Sequence, residues 1–293
     1  MKPPKFEYLR PTSIKEALAA LAAAGDDGKI IAGGQSLVPM MNFRLLSPTV
    51  LIDINRIPSM GDIQEQPDGG LRIGALTRHH ALETSEIVKR LYPVLHAAMQ
   101  HVAHLAIRNR GTIGGSITHA DPAAELPMLM KLLDARITLM SSKGTRIVEA
   151  DDFFLGALTS DVQENELVTE VNLPPLPQGA GWAFEEVARR AGDFALTAVG
   201  VVLHVEDGKI ADARIGMMGV ADTPMRINDA ETILFNQTCD PATLEEVVAA
   251  VLQKIEPSTD LHASAEYRLH LAKVLVRRAV QTAWLRATGE VNE

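Results

Sequence analysis

The chain has 293 residues, 46% of them hydrophobic, enough for one large core or two moderate ones, so a globular protein of two or three subdomains is expected. Its net charge is -9 at neutral pH and it has no block of consecutive Lys or Arg, so nothing in it suits a nucleic-acid backbone or an anionic bilayer. Met1-Lys2-Pro3-Pro4-Lys5-Phe6 lacks an apolar signal core and no later stretch is apolar for long enough to span a bilayer, so a cytoplasmic location is the expectation. A single cysteine, Cys239, excludes an internal disulfide and an iron–sulfur cluster held by this chain alone.

Thr12 and Ser13 precede an alanine-rich run from Ile14 to Leu21 that predicts a helix stopped near Gly25. A strand over Lys29–Ala32, a glycine turn at Gly33-Gly34, an apolar stretch to Leu46 and a strand over Val50–Ile54 complete a βαβ-like opening. Leu71–Ala75 restarts the pattern as a strand. A helical region from Ala81 to His104 leads to a second glycine turn at Gly114-Gly115. Arg136–Met140 and Thr145–Val148 read as a hairpin about Ser142-Lys143-Gly144, and a strand over Leu167–Leu173 ends in Pro174-Pro175-Leu176-Pro177, which suits a linker. Beyond it, Thr197–Glu206 and Lys209–Met217 form a hairpin about Asp207-Gly208. Asp240-Pro241 opens a helix, and Ser264–Ala287 supplies a long closing one. The expected fold class is α+β, with subdomains at 1–58 and 59–176 and a C-terminal domain at 177–293.

Two motifs stand out, Ala32-Gly33-Gly34-Gln35-Ser36 and Thr112-Ile113-Gly114-Gly115-Ser116, each with apolar residues before it. Paired glycines let the backbone take positive φ and approach a ligand closely, so that successive N–H groups hold an anion, while Ser36, Thr112 and Ser116 add hydroxyl donors. Neither a Walker pattern nor a G-x-G-x-x-G fingerprint is present, so a pyrophosphate gripped here would lie between two loops. A side chain added at Gly34 or Gly114 is expected to fill that concavity. Each motif taken alone is equally well a tight turn; it is the pair that points to a nucleotide.

With Ile107-Arg108-Asn109-Arg110-Gly111 before the second motif and Asp121-Pro122-Ala123-Ala124-Glu125-Leu126-Pro127 after it, the chain resembles the medium, FAD-binding subunit of the carbon monoxide dehydrogenase and xanthine dehydrogenase family of molybdenum hydroxylases. Arg189-Arg190-Ala191-Gly192-Asp193-Phe194-Ala195 resembles that family's C-terminal flavoprotein domain. The resemblance implies a two-subdomain FAD-binding fold of the vanillyl-alcohol-oxidase type followed by an α+β flavoprotein domain. It implies FAD contacts from Ile31, Ala32, Gly33, Gly34, Gln35, Ser36 and Leu37, from Gly111, Thr112, Gly114, Gly115 and Ser116, and from Asp121, Glu125, Leu167, Val168, Asp193 and Phe194. Glu125 stands where relatives often carry aspartate, and Phe194 where carbon monoxide dehydrogenases carry tyrosine against the flavin ring. The implied partners are a small subunit with two 2Fe–2S clusters and a large molybdopterin subunit, assembled as a dimer of heterotrimers. In that assembly this chain relays electrons and names no general base of its own. The alternative is a stand-alone FAD oxidoreductase of the same flavin-binding fold.

His101 and His104 fall three apart on an expected helix face, and His79, His80, His96 and His119 lie nearby in sequence, but without H-E-x-x-H or a neighbouring cysteine no metal site is assigned. Thr77 to His80, after a strand end, reads as a solvated turn in preference to a cofactor or partner loop. Arg189 and Arg190 read equally as cations beside a reduced flavin or as exposed charges on a strand. Cys239 is a spectator.

Overall fold

The structure, a computed structural model, describes residues 2–290, which three sheets and one short two-stranded ribbon organise. The first unit runs β1 (Glu7–Leu9), α1 (Ile14–Ala24), β2 (Gly28–Ile31), α2 (Leu37–Asn42) and β3 (Val50–Asp53), and its sheet, ordered β1-β3-β2, is parallel throughout. Ser13 caps α1 by accepting from the Glu16 N–H at 3.2 Å, and the Glu16 carboxylate reaches back to the Thr12 N–H at 2.7 Å. Ala17, Leu18 and Leu21 give that helix its buried face against the sheet.

The second unit opens with β4 (Ile63–Glu65) and β5 (Leu71–Gly74) and continues through α3 (His79–Thr84), α4 (Glu86–Leu91), α5 (Pro93–Ala98), α6 (Leu105–Arg108), α7 (Ile113–His119) and α8 (Glu125–Leu132). It returns to strands with β6 (Arg136–Ser141), β7 (Gly144–Glu149), the short α9 (Ala150–Phe153), the ribbon β8 (Phe154–Gly156) and β9 (Thr159–Ser160), and β10 (Leu167–Leu173). The sheet order is β4-β5-β10-β6-β7, so the last strand threads the middle, antiparallel to both β5 and β6. The expected helical region from Ala81 to His104 is broken into short pieces. Ser85 caps a new helix by accepting from the Val88 N–H at 3.3 Å, and Pro93 begins another where its missing N–H removes no bond. His101 and His104 therefore lie on the loop before α6 and share no helix face.

Tyr92 is fully buried, and its hydroxyl approaches the carbonyls of Leu173 at 3.0 Å and Pro174 at 2.8 Å, fixing the start of the proline segment that leaves the second sheet. The third unit is the antiparallel sheet β11 (Gly181–Ala188), β12 (Ala195–Glu206), β13 (Lys209–Met218) and β14 (Met225–Arg226), followed by α10 (Asn228–Leu234), α11 (Pro241–Lys254) and α12 (Ala265–Ala287). Nine successive residues of β12, Ala195 to Leu203, are buried, because both faces of the sheet are covered. The C-terminal helices cover one face. The other lies under α8, which is apolar nearly all round, with Leu126, Met128, Leu129, Met130 and Leu132 almost wholly buried. Gly200 and Gly216 are paired across β12 and β13 beneath it. A Cβ on Gly200 would stand 2.7 Å from Leu132 Cδ2, and one on Gly216 would stand 2.7 Å from Met128 Sδ. Absent side chains in the sheet thus make room for the helix. Arg189 and Arg190 lie on the exposed loop after β11, off the strand, and Arg189 Nη1 sits 2.6 Å from His262 Nδ1.

Candidate functional site

The two glycine motifs meet at the junction of the first and second units, and they are built differently. The first is a true turn between β2 and α2, with Gly34 at φ 74°. Gln35 folds its amide back to donate to the Gly33 carbonyl at 3.1 Å. The N–H groups of Gly34, Gln35 and Ser36 donate to nothing among the described residues, and Gln35 and Ser36 are exposed. Such a run of free N–H groups is what an anion requires of a backbone.

The second motif is not a turn. Gly114 and Gly115 lie in the first turn of α7, and neither has positive φ. Thr112 is the N-cap: nearly fully buried, its Oγ1 accepts from the Gly115 N–H at 3.1 Å. Gly114 instead permits contact, for a Cβ there would come within 2.6 Å of Ala75 Cβ and 2.8 Å of the Ala75 carbonyl oxygen, so an added side chain meets Ala75. Gly33 serves the same purpose across the junction, where a Cβ would strike the Arg110 carbonyl and lie 2.8 Å from Gly111 Cα. Gly111 in turn backs onto the His79 ring, at 2.8 Å from its nearest atoms by the same measure. Ile31, Ala32 and Leu37 flank the first loop half-buried, and Gly115 and Ser116 are the accessible residues of the second.

Of Thr77 to His80, expected as a solvated turn, Thr77 and His79 are buried and Arg78 and His80 half-buried. The Ile113 N–H donates to the Thr77 carbonyl at 3.0 Å and the His79 N–H to the Gly111 carbonyl at 3.0 Å, so this segment is the backing of the second motif. Burial pushes the His79 imidazole down to about 4, so it is neutral, and both its ring nitrogens lack side-chain or backbone partners among the described residues. Arg108 is tied down by Glu83 at 2.9 Å and by the carbonyls of Val102 and Ala103 at 2.9 and 2.7 Å.

The other residues carried over by resemblance fall into three groups. Leu167 and Val168 are core positions of β10, joined to the second motif through Ala75, whose N–H donates to Thr169 O at 2.9 Å and whose carbonyl accepts from the Gly114 N–H at 2.9 Å. Asp121 accepts from the Ala123 N–H at 2.9 Å, and Glu125, at the start of α8, is buried; burial, with Asp121 adding, pushes its carboxyl up to about 7. Asp193 and the exposed Phe194 belong to the loop after β11, which rests on the second unit at Gly192, where a Cβ would stand 2.7 Å from His104 Nδ1.

Sequence reasoning missed Glu186 on β11. Its side chain is 3% exposed, one carboxylate oxygen has no partner among the described residues, and His101 Nδ1 lies 3.9 Å from the other. Burial, with the Glu125 charge adding, pushes this carboxyl up to about 8, so Glu186 holds its proton at pH 7. Only its neighbourhood marks it out, and that neighbourhood comes from three separate stretches of chain.

Close-approach glycines, free N–H groups and free hydroxyls at Ser36 and Ser116 fit a dinucleotide pyrophosphate held between two loops. A family model described as the FAD binding domain in molybdopterin dehydrogenase matches residues 4–176, and one described as the CO dehydrogenase flavoprotein C-terminal domain matches residues 182–283. The chain belongs to this flavoprotein family. Its FAD-binding domain makes this molybdopterin-dehydrogenase flavoprotein an oxidoreductase component with FAD as its cofactor. It is 43% identical to the 6-hydroxypseudooxynicotine dehydrogenase complex subunit alpha of Paenarthrobacter nicotinovorans, over 98% of this chain and 97% of that one. It is 40% identical to the caffeine dehydrogenase subunit beta of a Pseudomonas species, over 97% and 96%. A solved carbon monoxide dehydrogenase from Hydrogenophaga pseudoflava, which lacks the Mo-pyranopterin moiety of its molybdenum cofactor, superposes with a TM-score of 0.95 at 39% identity, covering 98% of this flavoprotein and 99% of that chain. No helix among the described residues is long and apolar enough to cross a membrane.

Proposed function

We propose that this chain is the electron-relay subunit of a heterotrimeric molybdenum hydroxylase, receiving electrons from two 2Fe–2S clusters on a small partner and passing them to an external acceptor. A large molybdopterin subunit oxidises the organic substrate, and the complex is a cytoplasmic dimer of heterotrimers. The observation that carries this reading is end-to-end similarity to subunits of dehydrogenases named for different substrates, 6-hydroxypseudooxynicotine and caffeine. A flavin-carrying part common to enzymes for unlike substrates belongs with the shared electron path.

FAD supplies reversible uptake of two electrons. The protein's part is to bind and orient it. The N–H groups of Gly34 to Ser36 and the hydroxyls of Ser36 and Ser116 would take the pyrophosphate, with Ile31, Ala32, Gly33 and Leu37 shaping one wall and Gly111, Thr112, Gly114 and Gly115 the other. Glu125 and Asp121 sit where a polar edge of the cofactor would be met, Leu167 and Val168 offer apolar contact, and Asp193 and Phe194 lie on the loop of the third unit that would close over the ring. Phe194 gives apolar contact without a hydroxyl donor.

The test is purification from the native host, with absorption spectroscopy and identification of co-purifying chains. Flavin and iron–sulfur absorption with one larger and one smaller partner is expected, and the isolated chain should oxidise no organic substrate. Steady turnover of such a substrate by the isolated chain would overturn the relay reading in favour of a self-sufficient flavoenzyme.

A further inference from the structure

We propose that Asn55 and Arg78 form a side-chain strut that sets the spacing of the two flavin-holding loops, making both of them positioning residues for FAD. This rests on the reading that the two glycine motifs hold the pyrophosphate.

The two loops belong to different sheets. Ala32 leaves the parallel sheet of the first unit, while Arg110 and Gly111 lead into α7 of the second. Asn55, just after β3, and Arg78, just before α3, join them. Asn55 Nδ2 donates to the Ala32 carbonyl at 2.7 Å and to Asp53 Oδ1 at 2.6 Å, and the Asn55 N–H donates to the same Asp53 oxygen at 2.9 Å. Asp53 thereby fixes which way the amide faces. The other end, Asn55 Oδ1, accepts from Arg78 Nη2 at 2.5 Å, and Arg78 Nη1 donates to the Arg110 carbonyl.

That carbonyl is the atom onto which Gly33 packs without a Cβ. One guanidinium thus holds the second loop at the point of contact and, through one amide, holds the first loop one residue before the same contact. Backbone hydrogen bonds run within each unit around these loops, as from the Ile54 N–H to Ile31 O and from the His79 N–H to Gly111 O. The strut is what crosses between the units here.

Arginine suits the task because its planar fork presents two Nη donors to two acceptors at a set angle, which a lysine ammonium does not. Burial, with the Arg110 charge adding, lowers the Arg78 guanidinium from its usual range, while the Asp53 carboxylate favours the cation.

The experiment measures FAD rebinding to the deflavinated full-length chain in the assembly with which it purifies, for the wild type and for Arg78→Met, Arg78→Lys, Asn55→Ala, the double variant Asn55→Ala with Arg78→Met, and Gly33→Ala. Near-ultraviolet circular dichroism confirms folding of each. Each single strut variant, Arg78→Lys included, should weaken FAD binding about 10- to 100-fold, as expected when a hydrogen bond to a charged group is lost. The double variant should be no worse than the poorer single, because either substitution already breaks the link. Turnover at saturating FAD should stay near wild type, which separates spacing of the loops from damage to electron transfer.

Affinity within twofold of wild type in folded Arg78→Met, or single effects that multiply in the double variant, would overturn the strut. If Gly33→Ala loses FAD while Arg78→Met keeps it, the strut alone falls. If folded Gly33→Ala also binds FAD normally, the loop assignment falls and the strut with it.

Discussion

The two glycine motifs look interchangeable on paper, yet the backbone uses them for different reasons. In the first, Gly34 is required by conformation, at φ 74°, and its neighbours leave N–H groups free. In the second, Gly114 is required by proximity to Ala75, with the backbone in helix and the N–H groups of Ile113, Gly114 and Gly115 already engaged by Thr77, Ala75 and Thr112. A glycine pair is therefore ambiguous between a shape requirement and a clearance requirement, and the two respond differently to substitution.

The sharpest way to test this difference is at Gly114. Gly114→Val drives a branched side chain into Ala75, whose backbone has no room to yield, and should cost about 3 kcal/mol or more, seen as loss of soluble folded chain and of its flavin. Gly34→Ala places a Cβ at positive φ and only 3.2 and 3.3 Å from the movable side-chain ends of Ile31 and Val38, for about 1–2 kcal/mol, read as a lower urea midpoint without collapse of expression. If the two variants behave alike, the division into shape and clearance is wrong. Thr112→Val removes the N-cap of the second motif alone and should lower stability by about 1 kcal/mol, whereas Ser36→Ala, whose hydroxyl caps nothing, should leave the melting temperature unchanged and weaken only FAD retention.

The last effect is the one that depends on pH. Glu125 and Glu186 keep their protons in the fold up to about 7 and about 8, against 4.5 when unfolded. Between 4.5 and those values the unfolded chain has already lost a proton that the native chain retains, so stability of the flavin-free protein should fall as pH rises and level off above about 8. Glu186→Gln should flatten the upper part of that slope, by roughly 1–3 kcal/mol at pH 8.5. Urea midpoints from pH 5 to 9 that stay parallel for the variant and the wild type would show that Glu186 is not held neutral.

Much of the architecture was legible because its signals are local. Ser13, Asp240-Pro241 and Ser264 each start a helix where the chain advertises a cap, and Asp240 Oδ1 accepts from the Ala242 and Thr243 N–H groups at 3.0 and 2.9 Å. Asp207-Gly208 turns the β12–β13 hairpin with both residues at positive φ. What was missed is set by distant parts of the chain. The helical start at Gly114-Gly115 defies glycine's low propensity because Thr112 caps it and Ala75 presses against it. Three-residue strands such as β1 and β4 carry no period to read. Arg78 reaches partners 23 and 32 residues away, and no spacing rule connects them. The candidate loops could be found from their glycines and hydroxyls, but not the side chains that hold them in place.

The helix α8 has a consequence for how the protein is made. It leaves the ribosome with its second unit, dozens of residues ahead of the strands that receive it, and its Met- and Leu-rich outer face fits nothing until β12 and β13 arrive with Gly200 and Gly216. A nascent chain halted near the proline segment would carry that greasy ridge bare, a natural target for chaperones. Maturation is complete only when the last-made strands slide beneath a helix translated long before them.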